Sequence, residues 1–228
     1  MLIGVRKRFV FVANTKTAST AIEQVLAEHA EIMRGGGPAR KHIGMRDILR
    51  EYNFLFGRSK HAPETYFVFG VMREPLDWIG SWFRYRKGNQ VENPLPAEMS
   101  FAQFWARNDW NITRRDGRAN LQSDRFTAAD GTVLADVVIP YHELDSYLGE
   151  ICAVLNIKAP MPKRNVSRIR EIGEEIPPEL LDAMRAHYAE DYALFEQLDE
   201  INAAGMEKLR MRSRKTKDPA RKTAPKAS

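Results

Sequence analysis

Residues 9–23, FVFVANTKTASTAIE, contain an apolar strand, a polar turn and the start of an amphipathic helix in immediate succession. The run from Phe9 to Val12 has the short, β-branched and aromatic composition of a buried strand. The polar turn that follows holds one lysine, Lys16, among small residues. Backbone N–H groups and the positive end of a helix dipole converge in such a turn, so it favours an anion of phosphate size. Thr20 and Glu23 fit a capping box, which predicts that the helix begins at Thr20.

The turn differs from the Walker A loop, whose pattern is Gly-x-x-x-x-Gly-Lys-Ser/Thr. Val10 and Thr15 stand where that pattern has its two glycines before Lys16. An ordinary ATPase or GTPase is therefore disfavoured.

A second strand-to-helix junction lies further along the chain. The apolar run at residues 66–72 is typical of a buried strand, and Arg73 stands at its end. Pro75 suits the first turn of a helix, and Ser81 follows eight residues after Arg73. The two junctions occur in the same order as a pair of phosphate-binding motifs in one known enzyme family.

The two junctions resemble the motifs of sulfotransferases that use 3′-phosphoadenosine 5′-phosphosulfate (PAPS), particularly the carbohydrate-modifying branch. Residues 16–20 resemble the 5′-phosphosulfate loop, and residues 73–83 resemble the segment that binds the 3′-phosphate. By this resemblance the donor-binding residues are Lys16, Thr17, Ala18, Ser19, Thr20, Arg73 and Ser81. A guanidinium can bind two phosphate oxygens while a hydroxyl binds a third, which gives the Arg73 and Ser81 roles a physical basis.

The resemblance covers roughly residues 8–200. It implies an α/β fold that is P-loop-like, with three layers and a mainly parallel central sheet flanked by helices. Residues 162–168 resemble a late loop that folds over the nucleotide. Strands separated by helices, with anion sites beyond the strand ends, also predict a parallel sheet with a nucleotide at its carboxyl edge.

Periodicity and turn residues predict the remaining elements. A buried strand is expected at residues 137–139, and Asp130-Gly131 predicts a tight turn. Helices are expected at residues 20–33, 45–52, 78–86 and 101–107, with a last long helix from Pro178. We expect one catalytic domain, residues 1–206, and a basic, disordered tail, residues 207–228.

Transfer of a sulfuryl group builds negative charge on the leaving nucleotide oxygen, and Lys16 is expected to neutralise it. The acceptor is expected to be a hydroxyl or amine of a carbohydrate or small metabolite, and it needs a base. His42 is the first candidate, because imidazole titrates nearest neutral pH and some members of the family use a histidine. His61 and Glu23 are the alternatives. No metal is expected, because the five histidines show no pair at ligand spacing.

Composition bounds the environment of the protein. The chain has 43% apolar residues without an 18-residue apolar run, and it carries a net charge of +5. Nine basic and two acidic residues fall in the tail, which either solubilises the protein or captures a polyanion such as nucleic acid, an anionic glycan or a membrane surface. The single cysteine, Cys152, has apolar neighbours and is expected in the core. This cysteine usage and the lack of a signal-like segment predict a cytoplasmic protein without an integral membrane segment.

Two other function classes stay open at this point. A small-molecule kinase with an atypical phosphate loop would need a carboxylate for Mg²⁺ at a later strand end, and Asp136 is the one candidate. A non-catalytic protein that binds nucleotide or polyanion would act through its basic tail.

Overall fold

A computed structural model describes residues 1–88, 93–108, 120–158 and 176–217. In these ranges the chain forms one mixed five-stranded sheet, in the order β3-β1-β2-β4-β5. The strands are β1 Leu2–Gly4, β2 Phe9–Val12, β3 Ile32–Met33, β4 Phe67–Met72 and β5 Val137–Pro140. β2, β4 and β5 pair in parallel, whereas β1 runs antiparallel to both of its neighbours.

One or more helices follow each of the strands β2, β3, β4 and β5 along the chain. They are α1 Ser19–Leu26, α2 Pro38–Lys41, α3 Met45–Glu51, α4 Asn53–Phe56, α5 Pro75–Lys87, α6 Phe101–Arg107, α7 Leu144–Val154, α8 Pro178–His187, α9 Ala189–Phe195 and α10 Leu198–Lys217. α5 begins where Pro75 pre-sets the backbone and Glu74 caps the Asp77 N–H, and it ends at Gly88.

Helices cover both faces of the sheet. Alternate side chains of a strand point to opposite faces, and β2 shows this directly. Phe9 and Phe11 pack in one apolar cluster with α1, α7 and α10, whereas Val10 and Val12 pack in another with α3, α4 and α9. A third cluster joins α5, α6 and α8 beside the sheet. Cys152 lies buried in the first cluster, as its neighbours predicted.

The structure corrects three expectations about the fold. The sheet is mixed rather than mainly parallel, because two of its four strand pairings are antiparallel. The first helix ends at Leu26, and the chain then enters the short strand β3, so it does not run to residue 33. The long helix expected from Pro178 is divided into α8, α9 and α10.

The last helix, α10, crosses the boundary expected at residue 206. α10 continues unbroken to Lys217, and Leu209 is 1% exposed against the core. Lys208 Nζ lies 2.5 Å from Asp136 Oδ1, and Arg210 pairs with Glu150. Residues 207–217 therefore belong to the folded body, and residues 218–228 lie outside the described ranges.

α10 docks closely on the outer strand β5. The Asn202 amide accepts a hydrogen bond from Val138 N at 2.8 Å and donates one to Val138 O at 2.9 Å. A Cβ atom on Gly205 would lie 1.8 Å from the Asp136 carbonyl oxygen, so only glycine permits this approach. The helix thus takes the place of a sixth strand at this edge.

Candidate functional site

The two predicted junctions meet at one edge of the sheet. β2 and β4 pair in parallel, with Val12 opposite Gly70, so both strands end on the same side. The Lys16 turn follows β2 and Arg73 follows β4. Carboxyl ends of parallel strands are the usual place for a ligand in an α/β protein. The sequence expectation that both motifs follow buried strands is confirmed, and the structure adds that these two strands are neighbours.

The turn after β2 is held in an unusual backbone conformation. Lys16 and Ala18 both have φ of 58°, in the left-handed region that costs non-glycine residues roughly 1–2 kcal/mol each. Hydrogen bonds from three directions maintain it. Asn14 Oδ1 accepts from Thr15 N at 2.8 Å, Thr17 Oγ1 donates to Asn14 O at 3.1 Å, and Trp78 Nε1 donates to Thr15 O at 2.9 Å. Strain held in this way is typical of ligand-binding loops.

The predicted capping box at Thr20 is wrong. The N-cap of α1 is Ala18, whose methyl group offers no acceptor, and the first helical hydrogen bond runs from Ile22 N to Ala18 O. Thr20 Oγ1 instead accepts from Lys41 Nζ at 3.0 Å. The first N–H groups of a helix have no partner within the helix, so the uncapped start of α1 presents donors to an external acceptor.

A cavity of about 300 Å³ lies in front of this turn. It is lined by Thr15, Lys16, Ala18, Ser19, Thr20, His42, Trp82 and Tyr85. Thr17 does not line it, because its side chain is fully buried and its hydroxyl is used by Asn14 O. Thr17 can therefore offer a ligand only its backbone.

The Lys16 side chain lines the cavity and lies against two aromatic rings. Its Nζ atom is 3.7 Å from the centre of the Tyr85 ring and 5.8 Å from that of Trp82, within range for a cation–π contact. Burial, followed by repulsion from Arg73 and Arg84, lowers the pKa of Lys16 to about 8. Arg73 belongs to the second junction, so this repulsion acts between cations of the two junctions. An anion placed between them would relieve it.

His42 faces the same cavity. Its Nδ1 atom lies 2.9 Å from Ala13 O, and since a carbonyl can only accept, Nδ1 carries the hydrogen. The neutral imidazole then has its lone pair on Nε2. Burial, together with repulsion from Lys41 and Arg125, lowers the pKa of His42 to about 4, against the weaker opposing effect of the Ala13 bond. At neutral pH His42 is thus an uncharged proton acceptor.

The two alternative bases are less well placed. His61 lies near the amino end of β4, where Nδ1 contacts Arg8 at 3.0 Å and the Tyr66 hydroxyl at 2.9 Å. That is the opposite edge of the sheet from the cavity. Glu23 stands on α1, but its carboxylate is paired with Lys41 at 2.7 Å. Among the predicted bases, the structure brings His42 to the Lys16 turn.

Arg73 and Ser81 lie behind the cavity rather than in its lining. Arg73 is 3% exposed, and its guanidinium carbon lies 3.9 Å from the centre of the Tyr141 ring. Ser81 is 9% exposed on α5, next to Trp82, which does line the cavity. The second junction is thus adjacent to the cavity but more deeply buried.

A buried polar network that the sequence did not indicate joins the two junctions. The Gln122 side chain bonds both Asn14, at the end of β2, and the backbone of Arg73, at the end of β4. Asp191 of α9 accepts hydrogen bonds from the backbone of Gln122 and Ser123. Burial raises the pKa of Asp191 to about 6, although both backbone bonds oppose this.

The carboxylate considered for a kinase is at the wrong edge. Asp136 precedes β5 and so lies at the amino ends of the parallel strands. Its oxygens accept from Val68 N at 2.7 Å and bind Lys208 Nζ. Asp136 therefore has a structural role, and it is not placed to hold a metal beside the Lys16 turn.

No family model, curated protein or solved structure matches this chain. Over the described ranges, we find no group of three or more His, Cys, Asp or Glu side chains that could hold a metal ion. Within the same ranges, no helix is both long enough and apolar enough to cross a membrane. Residues 162–168, expected to fold over a nucleotide, lie outside the described part of the chain.

Proposed function

We propose that the chain is a PAPS-dependent sulfotransferase with a P-loop-like fold. The observation that carries the proposal is the convergence of two cations at adjacent parallel strand ends. Lys16 follows β2, Arg73 follows β4, and their repulsion contributes to the lowered pKa of Lys16. A ligand with anionic groups at both ends suits this pair better than one with a single phosphate cluster.

The site offers distinct partners for the two ends of such a donor. The uncapped start of α1 and Lys16 would hold the 5′-phosphosulfate end, whose chemistry supplies the sulfuryl group. Arg73 and Ser81 would hold the 3′-phosphate. The cavity of about 300 Å³ would receive the acceptor. These assignments follow the resemblance, and the cluster of positive charge around the Lys16 turn supports them.

In this proposal Lys16 and His42 divide the chemical work. The Lys16 ammonium neutralises the charge that builds on the leaving oxygen as the sulfur–oxygen bond breaks, an effect worth about 3–4 kcal/mol in comparable sites. His42 Nε2 takes the proton of the acceptor hydroxyl or amine as its new bond to sulfur forms. The Ala13 carbonyl fixes the tautomer that leaves Nε2 free for this step.

Nucleotide preference tests the proposal against both alternatives. Calorimetric titrations should show that adenosine 3′,5′-bisphosphate binds without metal and more tightly than either adenosine 5′-monophosphate or ATP with Mg²⁺. A preference for ATP with Mg²⁺ would instead favour a kinase. Binding of none of these nucleotides would refute the enzyme proposal and leave a polyanion-binding protein.

Turnover tests the role of Lys16 directly. An acceptor screen with radiolabelled PAPS should reveal sulfated products, and Lys16→Ala should abolish them without unfolding the protein. Lys87→Ala is a matched control, since Lys87 also lies over an aromatic ring, at 4.9 Å from the centre of Phe83, but outside the cavity. Retention of a tenth of the activity in Lys16→Ala would contradict the assigned role.

A further inference from the structure

We infer that Gln122 is a positioning residue that fixes the spacing between the Lys16 turn and Arg73, and thereby selects ligands that bridge the two. The inference rests on the proposed function only for the identity of that ligand, a nucleotide with separate 5′ and 3′ anionic groups. The juxtaposition itself is independent of the chemistry.

The Gln122 amide makes hydrogen bonds to groups from both junctions. The residue is 1% exposed, and its Oε1 atom accepts from Asn14 Nδ2 at 3.0 Å and from Arg73 N at 3.1 Å. Its Nε2 atom donates to Arg73 O at 3.0 Å. Asn14 carries the link onward, because its Oδ1 atom accepts from Thr15 N, at the base of the Lys16 turn. One side chain thus connects both junctions.

Gln122 is itself anchored from the far side. Asp191, fully buried on α9, accepts from Gln122 N at 3.1 Å and from Ser123 N at 2.8 Å. A few residues on, the Phe126 ring packs on β4 so closely that a Cβ atom on Gly70 would lie 2.4 Å from it. The short segment that carries Gln122 is therefore fixed at both ends.

The sheet alone does not set this spacing. Ladder pairing between β2 and β4 ends at Val12 opposite Gly70, before either junction begins. Beyond that point the chain turns into α1 on one side and α5 on the other. Beyond the ladder, Gln122 links the end of β2 to the end of β4, alongside the bond from Asn14 Nδ2 to Val71 O at 3.2 Å and the bond from Trp78 Nε1 to Thr15 O at 2.9 Å. A ligand that must reach both junctions depends on this link, whereas a ligand that uses one junction does not.

The test compares bridging and non-bridging nucleotides. Gln122→Leu removes all three side-chain bonds at similar volume, and Gln122→Glu keeps the two accepted bonds. We expect Gln122→Leu to lower the affinity for adenosine 3′,5′-bisphosphate by roughly tenfold or more, and the affinity for adenosine 5′-monophosphate by less than about threefold. Gln122→Glu should lose less affinity for adenosine 3′,5′-bisphosphate than Gln122→Leu. Equal losses for both nucleotides in Gln122→Leu would overturn the inference.

A matched control separates spacing from general loss of stability. Asn202→Leu also removes a buried amide that bonds a strand backbone, but at β5, away from the site. It should lower the melting temperature without changing the ratio of the two nucleotide affinities. A change in that ratio equal to the one in Gln122→Leu would also refute the inference.

A ligand-free measurement keeps the inference testable if the proposed function fails. The pKa of Lys16 reports its burial and its distance from Arg73. Titration of the Lys16 side-chain carbon signal by NMR should give a pKa of about 8 in the wild-type protein, a higher pKa in Gln122→Leu because the repulsion from Arg73 is reduced, and an unchanged pKa in Asn202→Leu. An unchanged Lys16 pKa in Gln122→Leu would show that Gln122 does not set the spacing.

Discussion

Replacing Lys16 by methionine is expected to stabilise the ligand-free protein at neutral pH. The pKa of Lys16 falls from 10.5 to about 8 on folding. One pKa unit corresponds to about 1.4 kcal/mol, so holding the ammonium in the folded site costs about 3 kcal/mol relative to the unfolded chain. Methionine keeps the length and the contact with Tyr85 but gives up a cation–π attraction of about 1 kcal/mol. Urea denaturation should therefore show a net gain of about 2 kcal/mol in the free energy of unfolding.

The pH dependence of this gain identifies its cause. Because folding lowers the Lys16 pKa, the unfolded chain binds the extra proton between pH 8 and 10.5, and wild-type stability rises with pH through that window. The advantage of Lys16→Met is thus complete below pH 8 and disappears toward pH 10.5. Urea titrations of both proteins at about pH 7 and about pH 10 measure it, and the other titrating groups cancel in the difference.

Lys87→Met serves as the control. This change also removes an ammonium over an aromatic ring, but it breaks a hydrogen bond to Met99 O at 3.0 Å, so it should destabilise the protein at both pH values. If Lys16→Met lowers stability, or if its gain at pH 10 equals that at pH 7, the electrostatic account of the site is refuted.

Four further predictions follow from the same contacts. His42→Ala should lower the transfer rate by on the order of 10². It should also abolish the acidic limb of the pH profile of kcat/KM, which has its midpoint near pH 4 in the wild-type protein. A variant that keeps the wild-type rate and the acidic limb argues against a base at this position. Arg73→Ala should weaken the binding of adenosine 3′,5′-bisphosphate far more than that of adenosine 5′-monophosphate, as measured by calorimetry. Equal loss of affinity for both nucleotides would show that Arg73 has a structural role. Removal of residues 218–228 should leave the melting temperature unchanged. Removal of residues 208–228 takes away a buried leucine and two ion pairs and should lower the free energy of unfolding by about 3 kcal/mol. Similar melting temperatures for the two truncated proteins would contradict the packing of α10. Asp191 binds its proton more tightly in the folded state than in the unfolded chain. The free energy of unfolding of the wild-type protein, relative to that of Asp191→Asn, should therefore increase as the pH falls from about 6 toward 3.8. A difference between the two proteins that does not change with pH in urea titrations would exclude this coupling.

The sequence predicted the elements that local patterns specify. Both junctions, the helix over Phe101–Arg107 and the strand at residues 137–139 could be predicted, because periodicity, proline and capping residues are encoded within a few positions. The tight turn at Asp130-Gly131 is also present, with Gly131 at φ 85° and a bridge between Thr127 and Val133.

Features that depend on distant residues could not be predicted. β3 has two residues, too few for a pattern, so the antiparallel edge of the sheet was missed. Gln122 lies in a polar segment that resembles a surface turn, and only tertiary packing buries it. α10 carries a charged composition that resembles a disordered tail, yet single apolar residues such as Leu209 secure it to the core. The N-cap of α1 was also predicted wrongly: the local pattern indicated Thr20, whereas the helix is capped by Ala18, two residues earlier.

The way α10 closes the β5 edge has a consequence for how the protein behaves before it is fully folded. Val138 has a free N–H and C=O until Asn202 arrives from the far end of the chain. A nascent or truncated chain without α10 exposes β5, an apolar strand open to pairing with the same strand of another molecule. The last helix therefore protects the protein against self-association through β5. Shortening α10 from its carboxyl end should cause aggregation before it lowers catalytic activity.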